Sequence, residues 1–276
     1  MKKTTAILIY DDDCPLCAAY TAVFVKTGLL DKEGRKNFSD IEPAIFNLVD
    51  KTKCRNEIPL IDTQTKKVLY GIDAMLEILD KKIPFIKFTG NIKPIKWLLQ
   101  KLYRFISYNR KVITATTGNA IYDCSPDFNV PYRVYFLLFF LLFNTAMLWP
   151  LHQTIFSNSV IANSTLLQLQ AAHLLLVAAH FITAASLGLK KGIAYLGQVN
   201  MLALTCILLI VPLHLINKYS SLLNAGFNNF YLGMVSMFII KEYIRRMKYV
   251  FVIPKQVWIV LVNIICLLAF IFYLLY

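Results

Sequence analysis

Beyond residue 130 the chain carries nine basic side chains and a single carboxylate, Glu242, scattered among long apolar runs. Nothing else in the sequence constrains the fold so strongly, because runs of roughly 20 apolar residues are what a helix needs to cross a hydrocarbon core. The first 130 residues are built differently, holding 20 of the 29 Lys+Arg and 15 of the 16 Asp+Glu. The pattern predicts a small soluble domain, residues 1–128, followed by an all-α transmembrane domain, residues 129–276. Five spans are expected, near 134–151, 166–188, 192–215, 228–246 and 256–276. The fourth is the weakest, since its apolar stretch stops at Ile240 and Lys241, Glu242, Arg245, Arg246 and Lys248 follow.

Basic residues in short loops orient such a bundle. Lys190-Lys191 and the Lys241–Lys255 stretch are rich, the 152–165 loop has no Lys or Arg, and the 216–227 loop has only Lys218. The rich loops, and by alternation the N-terminal domain, are therefore expected on the cytoplasmic side of the cell membrane. The start Met1-Lys2-Lys3 resembles a signal n-region, but only five apolar residues precede three aspartates, too short for a secretory h-region. The net charge of +13 then reads as topology and attraction to anionic lipid, with no motif for nucleic acid.

The chemistry concentrates in Asp11-Asp12-Asp13-Cys14-Pro15-Leu16-Cys17, directly after the apolar run Ala6-Ile7-Leu8-Ile9-Tyr10. A strand feeding a helix at this point suits Pro15 at the first helical position and leaves Cys14 as the N-cap. Unpaired backbone N–H groups and the helix dipole then favour a thiolate at Cys14, while Cys17, one turn later, can attack a mixed disulfide. Asp11 or Asp13 could take the Cys17 proton; alternatively both carboxylates simply hold the turn. Negative charge beside the thiols points to a reducing rather than strongly oxidising pair. Zinc is the rival chemistry, but no second Cys-x-x-Cys is present and no histidine occurs before His152, so neither metal nor another cofactor is expected. Cys54 and Cys124 are isolated, and Cys206 and Cys266 read as small core residues of apolar helices.

Apolar runs and turn residues predict strand 6–11, helix 14–30, strand 35–40, helix 42–50, strands 58–62 and 67–70, and helix 72–82. That order is the order of thioredoxin-like α/β folds, which place a cis proline beside the thiols where Pro59 stands here; the alternative is an ordinary trans proline at a strand edge. Tyr10-Asp11-Asp12-Asp13-Cys14-Pro15-Leu16-Cys17 resembles the signature of the DCC family of thiol-disulfide oxidoreductases, usually Tyr-Asp-Gly-Asp-Cys-Pro-Leu-Cys, with Asp12 in place of the glycine. Val68–Ala74 resembles the family's strand-Gly-x-x-Ala turn, and Leu102–Arg110 its Tyr-Arg-x-Ile-x-x-Asn-Arg helix, so that the likeness covers about residues 4–125. It implies a thioredoxin-like fold and dithiol/disulfide exchange but defines no physiological substrate; from the thiol pair itself a disulfide-containing protein or small thiol is the expected partner. Asp12 adds a charge and removes backbone freedom from the turn.

The segment 92–111 reads as a helix capping the domain with a basic face, able also to rest on anionic headgroups. All four histidines, His152, His173, His180 and His214, fall in the apolar half, and His152, His173 and His214 are expected to gather on the non-cytoplasmic side. Intramembrane histidines often mark a site, so His173 and His214 are candidates for a haem or quinone pocket, or are satisfied by interhelical hydrogen bonds. The resulting reading is a membrane-anchored oxidoreductase with Cys14, Cys17, Asp11, Asp13 and Pro59 at its site. A non-catalytic subunit that binds a membrane-protein partner, and a haem- or quinone-binding redox protein, are the alternatives.

Overall fold

Five consecutive apolar residues, Ala6–Tyr10, form strand β1 at the centre of a four-stranded sheet. The computed structural model describes residues 6–116, 125–220 and 224–275, and divides into two compact units, residues 1–133 and 134–276. In the first unit β1 leads through helix α1 (Pro15–Lys26) to the parallel strand β2 (Arg35–Asn37). The short helices α2 (Pro43–Phe46) and α3 (Lys51–Cys54) precede the hairpin β3 (Pro59–Asp62) and β4 (Val68–Tyr70), and α4 (Gly71–Asp80), α5 (Ile86–Gly90) and α6 (Lys93–Thr114) follow. The order across the sheet is β2-β1-β3-β4, with β3 antiparallel to both neighbours. A βαβ unit followed by a hairpin and a helix is the thioredoxin-like arrangement.

Both faces of the sheet are covered, which is why β1 is continuously apolar rather than alternating. Ile7, Ile9 and Ile61 pack with Phe38, Val49 and Cys54 on one face, and Leu8, Leu60 and Ile58 with Leu29, Leu30, Ala74 and Ile78 on the other. Two expected helices are shorter than the sequence suggested. The first ends at Lys26 because Gly28 takes a left-handed φ of 69° and the N–H groups of Leu29 and Leu30 turn back to the Phe24 carbonyl. The 42–50 helix breaks because Asp50 starts a new one, its Oδ1 accepting from the N–H groups of Thr52 and Lys53.

The second unit is all helical: α7 (Val130–Thr154), α8 (Leu166–Ser186), α9 (Leu189–Tyr219), α10 (Ala225–Tyr249) and α11 (Val257–Leu275). Among the described residues four helices are long and apolar enough to cross a membrane: α7 with its extension to Asn158, α8, α9 and α11. The exception, α10, carries the charged segment anticipated above, yet it runs antiparallel along α9. Near its start Asn228 meets Asn217 and Tyr231 donates to the Leu209 carbonyl; near its end Arg246 donates to Gln198 at 2.7 Å. Its charge is largely internal, since Glu242 accepts from both Arg245 and Arg246. The turn from α8 into α9 is close-packed: a Cβ on Gly192 would run into the Ala184 carbonyl.

Gly71 joins β4 to α4 at φ 56°, its N–H on the Ile58 carbonyl, with Glu57 Oε2 and Tyr103 Cε1 standing 3.2 and 3.3 Å from where a Cβ would be. Gly71→Ala is expected to destabilise the first unit by about 1–2 kcal/mol. Faster amide hydrogen exchange in β3 and β4 of the full chain, with α8 and α9 unaffected, is the check.

Candidate active site

β1 ends where Asp11 begins to hold a turn. Its Oδ1 accepts from the Asp13 N–H at 3.1 Å and its carbonyl from the Cys14 N–H at 3.2 Å. Cys14 is the N-cap of α1, Pro15 stands in the first helical turn, and Cys14 Sγ accepts from the Cys17 N–H at 3.4 Å. The turn does not need the glycine it lacks: Asp12 is not among the residues with positive φ, and its Oδ2 accepts from Ser39 Oγ at 2.7 Å. Thr21 fixes the next turn of α1, its hydroxyl donating to the Cys17 carbonyl at 2.7 Å and accepting from Arg35 Nε of β2 at 2.8 Å.

The C-terminal end of α6 completes the site. Arg110, about nine-tenths buried, places Nη1 3.8 Å from Cys17 Sγ and Nη2 3.1 Å from Asp11 Oδ2, while Nη2 also donates to the Arg55 carbonyl at 3.2 Å. The contact with Asp11 is one of charge rather than a well-aligned hydrogen bond, since Asp11 Oδ2 has no hydrogen-bond donor in line. Lys111 Nζ lies 4.0 Å from the same oxygen, and Lys111 and Thr116 both donate to the Asp13 carbonyl, at 3.4 and 3.0 Å. Cys14 and Cys17 are 0% and 4% exposed, so the dithiol is covered.

This environment separates the two thiols. A hydrogen bond from the Cys17 thiol brings Cys14 down to about 6; burial opposes it, the Cys17 N–H and the Arg110 guanidinium reinforce it, and Asp11 works against it. Keeping that proton, and being buried, pushes the Cys17 thiol well up, although Arg110 pulls the other way. Burial also pushes the Asp11 carboxyl above the ordinary carboxylate range, outweighing Arg110 and Lys111. The result is one ready nucleophile, one thiol that must be deprotonated, and a carboxylate with enhanced affinity for a proton held by the guanidinium that faces the second thiol.

Of the residues singled out from sequence, Asp11, Asp13, Cys14 and Cys17 meet in this turn, Asp13 through its backbone. Pro59 opens β3, and the pairing of Leu8 with Leu60 puts it at the sheet end from which the thiol turn leaves. Of the two readings open at Pro59 the bond takes the trans one; the cis bond among the described residues is Ile253–Pro254. The first residue of a strand accommodates a trans proline because no ladder N–H is lost. Cys54 is buried in the opposite face of the sheet, its thiol pushed up to about 12 by burial, and Cys124 lies outside the described residues. No group of three or more His, Cys, Asp and Glu side chains among the described residues is arranged to hold a metal ion. Sequence reasoning assigned no role at the thiols to Arg110, Lys111 or Thr116, because their contribution depends on how α6 packs; the signal was the Asn109-Arg110 end of the family-like helix.

The histidines bond to different partners. His214 bonds Thr154 at 2.8 Å and His152 the Ser164 carbonyl at 2.8 Å, whereas His173 lines a different cavity together with His180. His214 lines a separate cavity with Gln153, Thr154 and Asn217, so His173 and His214 do not share one cavity.

With this geometry in place, comparison with protein families is decisive for the first unit. Residues 8–116 match the family DCC1-like thiol-disulfide oxidoreductase. No curated protein and no solved structure matches the chain. The matched stretch runs from within β1 to just past α6 and includes both thiols and the α6 residues that cover them.

Two outcomes follow for Cys14. Its alkylation rate should rise about tenfold per pH unit up to about 6 and then level off, because only the thiolate reacts. Thr116→Ala removes one of the ties over the turn and should raise the plateau rate about two- to tenfold without moving the midpoint, as loss of one hydrogen bond allows. An unchanged plateau would show that Thr116 does not restrict access.

Proposed function

We propose that the chain is a membrane-anchored thiol-disulfide oxidoreductase working through Cys14 and Cys17. The observation that carries this reading is the sulfur of Cys14 at the amino end of α1, with its pKa brought down to about 6, directly beside the protonated thiol of Cys17. The Cys14 thiolate attacks a substrate disulfide, forming an S–S bond to one sulfur and expelling the other as thiolate. Cys17 then gives its proton to Asp11 and attacks Cys14 Sγ, releasing the second substrate thiolate and leaving a Cys14–Cys17 disulfide. The substrate gains two electrons and the dithiol loses two; a thiol reductant restores it. Arg110 is a positioning residue that keeps Asp11 and Cys17 on one guanidinium and offsets the repulsion between carboxylate and thiolate.

A cytoplasmic position for this domain is supported by the loop charges, with Lys190-Lys191 and Lys241–Lys255 inside. That assignment requires α10 to cross together with α9, in keeping with their antiparallel pairing. Lipid is the other partner in this reading. Trp97, Leu98, Leu102 and Ile106 form an exposed apolar stripe on α6 between lysines 93, 96 and 101, suited to an anionic bilayer surface.

Alkylation trapping tests the proposal. Cys17→Ser should accumulate mixed disulfides through Cys14, and Cys14→Ser/Cys17→Ser should not. Asp11→Asn should still form the mixed disulfide but slow its resolution by about a hundredfold, the usual order for a lost general base. A Cys14–Cys17 pair that never cycles in cells, and a Cys17→Ser variant that captures nothing, would leave a non-catalytic docking domain.

A further inference from the structure

The second unit contains a small apolar cavity of about 120 Å³ between α7, α8 and α9, with walls that include Leu176, Phe181 and Val199. Four polar side chains join them: His173, His180, Asn144 and Asn200. Each is already committed on one side, and the direction of each commitment decides what remains.

His173 Nε2 lies 3.1 Å from Thr145 Oγ1, whose single proton goes to the Leu141 carbonyl at 2.8 Å. The hydroxyl can therefore only accept from the imidazole, so Nε2 carries the proton and Nδ1 keeps a bare lone pair. His180 repeats this through a longer chain. Its Nδ1 lies 2.8 Å from Tyr195 Oη, whose proton goes to Asn263 Oδ1 at 2.9 Å, and Asn263 Nδ2 donates to Tyr243 Oη at 2.7 Å. Nδ1 of His180 must donate, and Nε2 is left as a bare acceptor. Asn144 spends its amide N–H groups on Asn200, and its Oδ1 has no hydrogen-bond partner. The two imidazoles thus bring ring nitrogens that can only accept to an apolar cavity, where Asn200 gives one amide N–H to the Leu137 carbonyl, and this favours a ligand that brings protons to the histidines.

We propose that this cavity binds the reduced, dihydroxy form of an aromatic redox carrier, a hydroquinone. The two histidines sit seven residues apart on one face of α8, about 10.5 Å along its axis. A ring with hydroxyls at opposite ends can address two such side chains, with one hydrogen bond of about 2.8 Å at each. The oxidised quinone offers only carbonyl oxygens, which would face nitrogen lone pairs. A lipid alcohol supplies one hydroxyl and leaves the other imidazole unpaired. The site is set by the Tyr195–Asn263–Tyr243 chain and is independent of the dithiol.

The test uses the full chain carrying Cys14→Ser/Cys17→Ser in lipid nanodiscs, so its outcome does not depend on the thiol chemistry. Equilibrium dialysis compares a short-chain benzohydroquinone with its benzoquinone, against empty nanodiscs, under anaerobic conditions. The hydroquinone should bind at least about tenfold more tightly, and His173→Leu or His180→Leu should each weaken it about tenfold, the scale of one lost buried hydrogen bond. Tyr195→Phe frees the tautomer of His180 and should narrow the preference between the two redox forms, a change in ratio that a general loss of folding would not produce. Equal affinity for both forms, competition by a saturated long-chain alcohol at the same concentration, or an unchanged ratio in Tyr195→Phe would overturn the proposal.

Discussion

A buried guanidinium organises the first unit. Arg110 cannot be removed from water without partners, and it finds them at Asp11 after β1 and at the Arg55 carbonyl after α3. Residues 11, 55 and 110 are far apart in the chain, so this one side chain fixes the end of α6 against the thiol turn. Cys17 lies against the same group, which ties the electrostatics of the dithiol to the tertiary packing of the domain. Were the guanidinium lost, Asp11 would keep only the Asp13 N–H and the more distant Lys111 ammonium, in a space nearly closed to solvent.

The parts of this arrangement that are local in sequence could be read from it. The apolar run into Cys14-Pro15-Leu16-Cys17 dictates a strand and a capped helix, because Pro15 and the N-cap sulfur act within four residues of one another. The hairpin at Asp62–Lys67 was equally visible: Asp62 Oδ1 accepts from the N–H groups of Gln64 and Thr65, the local bonding that makes aspartate a turn residue. Two local signals were passed over: Gly28 stopped α1 early through its own φ, and Asp50 capped a new helix and broke the 42–50 one. What depended on distant packing was not legible, and the trans bond at Pro59 reflects the strand around it. The covering of the thiols by Lys111 and Thr116 belongs to the same class, since periodicity gives the face of α6 but not its neighbour.

In the apolar half, four of the five expected spans are long and apolar enough to cross a membrane, and α10 is set apart by its charges, part of which pair with one another. Glu242 pairs with Arg245 and Arg246, and Arg246 reaches Gln198 in the middle of α9. Side-chain amides do similar work elsewhere: Asn200 donates to the Leu137 carbonyl, and Asn228 to the Asn158 carbonyl. Where lipid tails give helices no hydrophobic reason to associate, such bonds and close backbone approaches such as Gly192 against Ala184 are what hold them in one arrangement.

The enclosure of Cys14 has a bearing on the durability of the protein. A sulfur ionised at neutral pH is the form that peroxide converts to sulfenic and then irreversibly to sulfinic acid. With no solvent-exposed surface, Cys14 is reached only slowly by small oxidants. Reactivity and vulnerability, which ordinarily rise together in a low-pKa cysteine, are thereby uncoupled.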